Sequence, residues 1–95
     1  MGAFVYILEC SDGSYYTGST RSSLERRLDE HNSGSFGGYT SSRRPVRLVY
    51  SEAFANITDA IKAERQIKGW GRNKKRALID GDFDRLKLLS KRSAN

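Results

Sequence analysis

Two β-rich runs, residues 4–10 (FVYILEC) and residues 15–19 (YYTGS), flank the turn signal Ser11-Asp12-Gly13-Ser14. That arrangement predicts an antiparallel hairpin, and a hairpin as the first element constrains everything after it. One sheet face must be buried by whatever follows, because two strands alone are marginal in water. The elements that follow are mostly helical. Ser22 with Glu25 has the spacing of a capping box. Leu24 and Leu28 mark a buried stripe, and Asn32-Ser33-Gly34 ends the helix.

Residues 34–42 hold three glycines and several hydroxyls and read as a loop. Pro45 precedes a third strand, Val46 to Tyr50, with a continuation toward Phe54. Asn56 to Lys68 is the clearest helix, with Ile57, Ala60, Ile61 and Ile67 at helical spacing. Gly69 and Gly71 break it. Arg72 to Ile79 and Phe83 to Leu89 are two further helical pieces, split by Asp80-Gly81-Asp82. The order is β-β-α-β-α-α(α). It predicts a small α/β domain of the α+β type over residues 1–95.

The chain has 95 residues, 37% hydrophobic and 29% charged, an ordinary balance for a folded domain. With one cysteine, Cys10, no intramolecular disulfide can form, and a zinc site built on cysteines would lack ligands. Cys10 is expected to be a small buried residue on a strand. No apolar run approaches a membrane span. Met1 to Glu9 lacks the basic start and long apolar stretch of a signal peptide. These features fit a reducing cytoplasm and no membrane partner.

Net charge is +6, and its distribution is uneven. Between residues 62 and 76 lie Lys62, Arg65, Lys68, Arg72, Lys74, Lys75 and Arg76 against one acid, Glu64. Seven minus one equals the net charge of the whole chain. A concentrated basic segment suggests a polyanion partner, most simply nucleic acid.

Polar residues on inward stripes carry the next inference. Positions 24, 27, 28 and 31 share one helix face, so Arg27 and His31 point with Leu24 and Leu28. Arg26 is about 100° away and faces solvent. On the long helix, Glu64 falls between Ile61 and Ile67. A carboxylate there needs a cation or a metal, because burying an isolated charge is costly. Two partners satisfy it: an ion pair with Arg27 that braces two helices, or a metal ion. A hard oxygen ligand favours Mg²⁺ or Mn²⁺.

The hairpin tyrosines add a parity condition. With a two-residue turn at Asp12-Gly13, paired residue numbers sum to 25, and Tyr6 and Tyr16 lie on opposite faces. They share a face only if the loop is odd in length or a bulge intervenes.

At this point the ordered set resembles a known family. Val5-Tyr6-Ile7 and then Tyr16-Thr17-Gly18 resemble the paired motif of GIY-YIG nucleases. Arg27, in Leu24-x-x-Arg27-x-x-x-His31, resembles the helix arginine and histidine of that family. Glu64, in Ala63-Glu64-Arg65-Gln66-Ile67-Lys68, resembles its metal-binding glutamate. The match is similar over nearly the whole chain to small stand-alone bacterial members. Those also carry segments like Tyr39-Thr40, Arg44-Pro45-Val46 and Lys74-Lys75.

The resemblance implies a three-stranded antiparallel sheet flanked by helices and hydrolysis of DNA phosphodiesters, in repair or recombination. The DNA would be single-stranded, branched or duplex. It implies one divalent ion, Mg²⁺ or Mn²⁺, held by Glu64, and no small-molecule cofactor. Arg27 would neutralise transition-state charge, Tyr6 would position or deprotonate the attacking water, and Tyr16 would support water or phosphate. His31 would assist proton transfer or hydrogen-bond to Tyr6. Asn73 could fill the family's last polar position or simply begin a helix.

Around that site, Tyr39, Thr40, Arg43 and Arg44 on the glycine-rich loop would contact phosphates or stack on a base; the alternative is a solvated loop. Lys68, Arg72 and Lys75 follow helical spacing and, with Lys74, would hold the DNA backbone. Trp70 would plug the core beneath the C-terminal helices rather than serve as a platform. The competing functions are a nucleic-acid-binding module without cleavage and a structural RNA-binding protein.

Overall fold

The computed structural model describes residues 2–93. Strands β1 (Ala3–Glu9) and β2 (Tyr15–Thr20) form the hairpin, followed by α1 (Leu24–Ser33). A short 3-10 turn (Gly38–Thr40) leads to β3 (Arg47–Phe54). Helices α2 (Ile57–Lys68), α3 (Arg72–Asp80) and α4 (Phe83–Ser93) complete the order. The sheet is antiparallel throughout in the order β2-β1-β3, so β1 is central. The expected α+β architecture is present.

Strand alternation divides the core in two. Val5 and Ile7 of β1 pack with Ile67 of α2 and Leu78 of α3. On the other face Tyr6 and Leu8 pack with Cys10 and Val46, under Leu24 and Leu28 of α1. Thus α1 covers one face, while α2 and α3 cover the other. Trp70 packs against the second of these layers as a core plug, with the Lys74 ammonium 4.5 Å from its ring centroid.

The hairpin loop is not the two-residue turn that Asp12-Gly13 suggests. Cys10 N–H donates to Ser14 O (2.8 Å) and Gly13 N–H to Cys10 O (2.9 Å), leaving residues 11–13 as a three-residue loop. Gly13 closes it at φ +83°, the left-handed position such loops require. Asp12 Oδ1 accepts from both Ser14 N–H and Ser14 Oγ, which favours this turn over the tighter one. The odd loop shifts the register, pairing Tyr6 with Gly18 and Leu8 with Tyr16. Tyr6 and Tyr16 therefore share a face, and the parity condition is met.

Several boundaries differ from the sequence expectation for identifiable reasons. Ser23, not Ser22, caps α1 by accepting from Arg26 N–H at 3.2 Å. Ser22 is held outside the helix because its N–H donates to Thr20 Oγ1, so the Ser22–Glu25 capping box does not form. β3 begins at Arg47 rather than Val46. Both backbone groups of Val46 are taken by the Asn32 side-chain amide, at 2.7 and 3.0 Å, in place of ladder bonds. Cys10 is buried as expected but lies just beyond β1, in the turn. Asn56 caps α2 through Asp59 N–H, and Asp82 accepts from Arg85 N–H at the start of α4. α4 runs past the expected Leu89 to Ser93.

Gly13→Ala places a Cβ on a left-handed residue, which costs about 1–2 kcal/mol. The expected outcome is a lower urea midpoint with an unchanged slope, the midpoint shift multiplied by the slope equalling that loss.

Candidate active site

The site lies on the face covered by α1, and it begins with Tyr6 on the central strand. Tyr6 is 1% exposed, and its ring rests over its cross-strand partner Gly18. A Cβ at position 18 would stand 2.5 Å from Tyr6 Oη and 2.7 Å from its Cζ. No side chain other than hydrogen fits there while Tyr6 keeps its place.

Tyr6 Oη is 3.0 Å from His31 Nε2, and His31 Nδ1 is 2.7 Å from Thr40 Oγ1. All three residues are buried. With Tyr6 donating, His31 carries its hydrogen on Nδ1 and donates it to Thr40. Helical spacing from Arg27 to His31 brings both onto this chain of contacts. Arg27 Nε is 3.1 Å from Glu30 Oε1, an ion pair whose angle falls short of a hydrogen bond, so the buried Nε has no hydrogen-bond partner.

Glu64 comes from α2, with its side chain 16% exposed. The Ser19 hydroxyl donates to its Oε1, and Lys68 Nζ lies 2.6 Å from its Oε2. The Glu64–Arg27 brace is therefore replaced by two separate pairs, each within its own helix. Tyr16 completes the group, with its ring centroid 6.4 Å from Tyr6 and 5.2 Å from His31.

Electrostatics tie these residues together. Burial pushes the Tyr6 phenol well above its ordinary value of 10.0; Tyr16 and Glu64 add to the rise, and Arg27 opposes it. Burial also raises Tyr16, with Lys68 and Arg27 opposing and Glu64 adding. His31 is pushed below its ordinary 6.5 by burial first and by Arg27 next, against Glu30. Arg27 and Glu64 thus act on both phenols. Tyr6, Tyr16, Arg27 and His31, all chosen from the sequence, gather on the α1 face, while Glu64 stands beside β2 on the α2 side, bonded to Ser19 and near enough for its charge to reach both phenols.

The expected nucleic-acid contacts separate into different roles. Thr40 is 1% exposed and committed to His31, which overturns its assignment as a DNA contact. Arg44 donates to Ser41 O and Asn32 O, binding the loop to the end of α1. Arg43 lies 3.9 Å from the centroid of the exposed Tyr39 ring and pairs with Asp12.

Arg72 stands over Tyr15 and donates to Gly13 O, and Lys74 stands over Trp70. Both rings belong to the opposite layer, so these two cations are not in the tyrosine cluster. Lys68 is at the cluster, and Lys75 is close enough to it for the Lys68 charge to add to burial in lowering the Lys75 ammonium pKa. Asn73 is exposed at the second position of α3, beside Trp70, in a groove apart from the tyrosines.

Sequence reasoning missed two participants. Ser19 gave no signal, because a serine after Tyr-x-Gly looks like any strand hydroxyl. Phe36 did give one. It is a large apolar residue inside a Gly/Ser loop where no core is predicted, and it is 41% exposed here. Its ring lies 4.2 Å from His31 and 4.8 Å beneath the Arg27 guanidinium.

Comparison with known proteins finds relatives in both sequence and structure. A family model described as the GIY-YIG catalytic domain matches residues 2–77. A UPF0213 protein of Syntrophus aciditrophicus is 49% identical over 84 residues, covering 87% of this chain and 95% of the relative. The solution NMR structure of the UPF0213 protein BH0048 from Bacillus halodurans superposes with a TM-score of 0.54 at 44% identity, covering 84% of each chain. That of EF2693 from E. faecalis gives 0.59 at 39%, covering 87% of this chain and 88% of the other.

Gly18→Ala forces Tyr6 from its contact with His31. Overpacking of this kind costs about 1–3 kcal/mol. Thermal unfolding should show that loss, and the Tyr6 ring resonances in NMR should shift more than those of Tyr50.

Proposed function

The chain belongs to the GIY-YIG family, a family of nucleases, and on that premise we propose that residues 1–95 act as one cytoplasmic, divalent-metal-dependent DNA endonuclease. The observation that carries the proposal is the convergence of a buried Tyr6–His31–Thr40 chain with Arg27 and Glu64. A merely structural protein has no need to bring a phenol, an imidazole and a guanidinium together under α1 with a carboxylate of α2 within electrostatic reach.

The donor chemistry at Glu64 fits Mg²⁺ or Mn²⁺. Among the described residues no three His, Cys, Asp or Glu side chains converge, so an all-protein cage is absent. A single hard carboxylate suits an ion that keeps most of its shell as water and phosphate oxygen. Held by Glu64, such an ion supplies Lewis-acid polarisation of the phosphoryl group and stabilisation of the leaving 3′ oxygen.

The chain's own residues do the rest. Arg27, whose side chain is 23% exposed, takes phosphate oxygens through its guanidinium as charge builds on them. Tyr16, the more open phenol, holds the attacking water. As that water bonds to phosphorus, its proton passes to Tyr6 Oη while the Tyr6 proton passes to His31 Nε2, 3.0 Å away. The P–O bond to the 3′ oxygen breaks and that oxygen takes a proton from solvent; after product leaves, His31 returns its extra proton through Tyr6 Oη to solvent, so the proton count closes and His31 is neutral again. This route never needs a standing phenolate, which burial of Tyr6 strongly disfavours. Lys68, Lys75 and Arg43 lie around the site as the cations that hold the phosphates of the strand; Arg72 and Lys74 add charge from the far layer.

The deciding experiment uses labelled single- and double-stranded DNA, with and without Mn²⁺. Cleavage should require the metal and disappear in Glu64→Ala, while that variant stays folded and still binds DNA. Cleavage that survives in Glu64→Ala would assign it to another protein or site. Binding without cleavage of any substrate would make this a binding module.

A pH profile tests the proton route. His31 must be neutral to accept, and its pKa lies below 6.5. Activity should therefore hold through neutral pH and fall only in more acid solution. Thr40→Val removes the acceptor that fixes the His31 tautomer, and kcat should drop by about 10²-fold, the lower range of general-base contributions.

A further inference from the structure

We propose that Phe36 and Tyr39 form an aromatic shelf that stacks an unpaired base of the DNA strand next to the scissile phosphate. The position of the phosphate rests on the nuclease proposal, but the shelf itself rests on four observations. Phe36 and Tyr39 are each 41% exposed, although both are large rings that burial would favour. The other exposed large apolar residues among those described are Leu48, Phe83 and Leu88, none of which contacts the tyrosine cluster through an aromatic ring.

Both rings also adjoin Tyr16. Phe36 meets it edge-on at 6.4 Å, and Tyr39 stacks at 6.1 Å with an interplanar angle of 26°. Each ring in addition carries a guanidinium, Arg27 at 4.8 Å and Arg43 at 3.9 Å. Alternating rings and fixed cations match the alternation of base and phosphate along one strand. A base inside a duplex has both π faces covered by its neighbours, so a shelf of this kind takes an unpaired one.

Finally, the rings are held in place. Phe36 N–H donates to Glu30 O at 3.3 Å. Tyr39 O accepts from Arg43 Nη1 at 2.9 Å, and the next residue, Thr40, is buried against His31. Arg43 is in turn fixed by Asp12 at 3.1 Å. The exposure belongs to an anchored segment, which is what stacking requires if it is to add affinity rather than lose it to ordering.

The test measures binding in EDTA, where no metal-dependent cleavage can occur, with oligonucleotides carrying 2-aminopurine at successive positions. Wild-type protein should quench an unpaired 2-aminopurine and bind the single strand. Phe36→Ala and Tyr39→Ala should each lose quenching and bind about five- to a hundred-fold more weakly, the range for loss of one base–aromatic stack. Binding of a blunt duplex should stay within twofold.

Phe36→Leu keeps the apolar bulk without the ring. It should match wild type in thermal unfolding yet bind single strands like Phe36→Ala. Equal single-strand affinity in wild type and the alanine variants, equal losses on duplex, or no single-strand binding by the wild type would each overturn the shelf. The same oligonucleotides are then given Mn²⁺. Ring-dependent binding without cleavage would uphold the shelf and remove the nuclease proposal. Cleavage without ring dependence would do the reverse.

Discussion

The hydrogen-bonded chain from Tyr6 through His31 to Thr40 is the interaction on which the rest of this molecule turns. It joins the central strand, the first helix and the loop before β3 through side chains that are almost wholly buried. A buried imidazole is tolerable only when both nitrogens are matched, since each unmatched polar group costs about 1–3 kcal/mol. That requirement fixes the rotation of α1 about its axis and the height of the 3-10 turn above the sheet. It also requires Tyr6 to stand over Gly18, and Gly18 to lie opposite Tyr6 in the register. A hairpin loop one residue shorter would break that pairing. The local chemistry of Asp12, Gly13 and Ser14 thus decides whether the site exists.

The charged members follow a different logic. Arg27 pairs with Glu30 three residues on, and Glu64 pairs with Lys68 four residues on. Each of these charges has its partner on its own helix, so the two are not bound to one another. A direct pair would be attractive by about 4 kcal/mol at 4 Å in a medium of intermediate dielectric. A phosphate and a cation would then have to break it. Helical pairs with one partially exposed member are worth only tenths of a kcal/mol, and they exchange readily for a ligand.

Periodicity made Arg27, His31 and Glu64 legible in the sequence, because a polar side chain on an apolar stripe stands out whatever its partner is. Element order was legible for the same reason. The parity of the hairpin was not, since Asp12-Gly13 also suits a two-residue turn, and the choice depends on Ser14 bonding back to Asp12. The start of β3 was hidden because Asn32, fourteen residues upstream, takes both backbone groups of Val46. Thr40 looked like a surface hydroxyl on a polar loop. Its burial depends on where His31 points, which is a tertiary fact. Ser19 was illegible on the same ground, as its role is set entirely by the approach of α2.

The basic segment between residues 62 and 76 shows how a correct charge count can mislead about location. In sequence it is one block of +6. In space the turn at Gly69 to Gly71 divides it, leaving Lys68 beside Glu64 and Tyr16 while Arg72 and Lys74 cover Tyr15 and Trp70 on the other layer. Both rings are partly buried, and cations over such rings contribute about 0.5–2 kcal/mol each. Those two therefore support the packing of α3 as well as adding to the long-range field. On the proposed reading, a polyanion drawn by the whole field is placed on the tyrosine side. There Lys68 and Arg43 flank the open rings. Attraction and placement are thus separate functions of the same composition, and only the second is confined to the face that carries Tyr6.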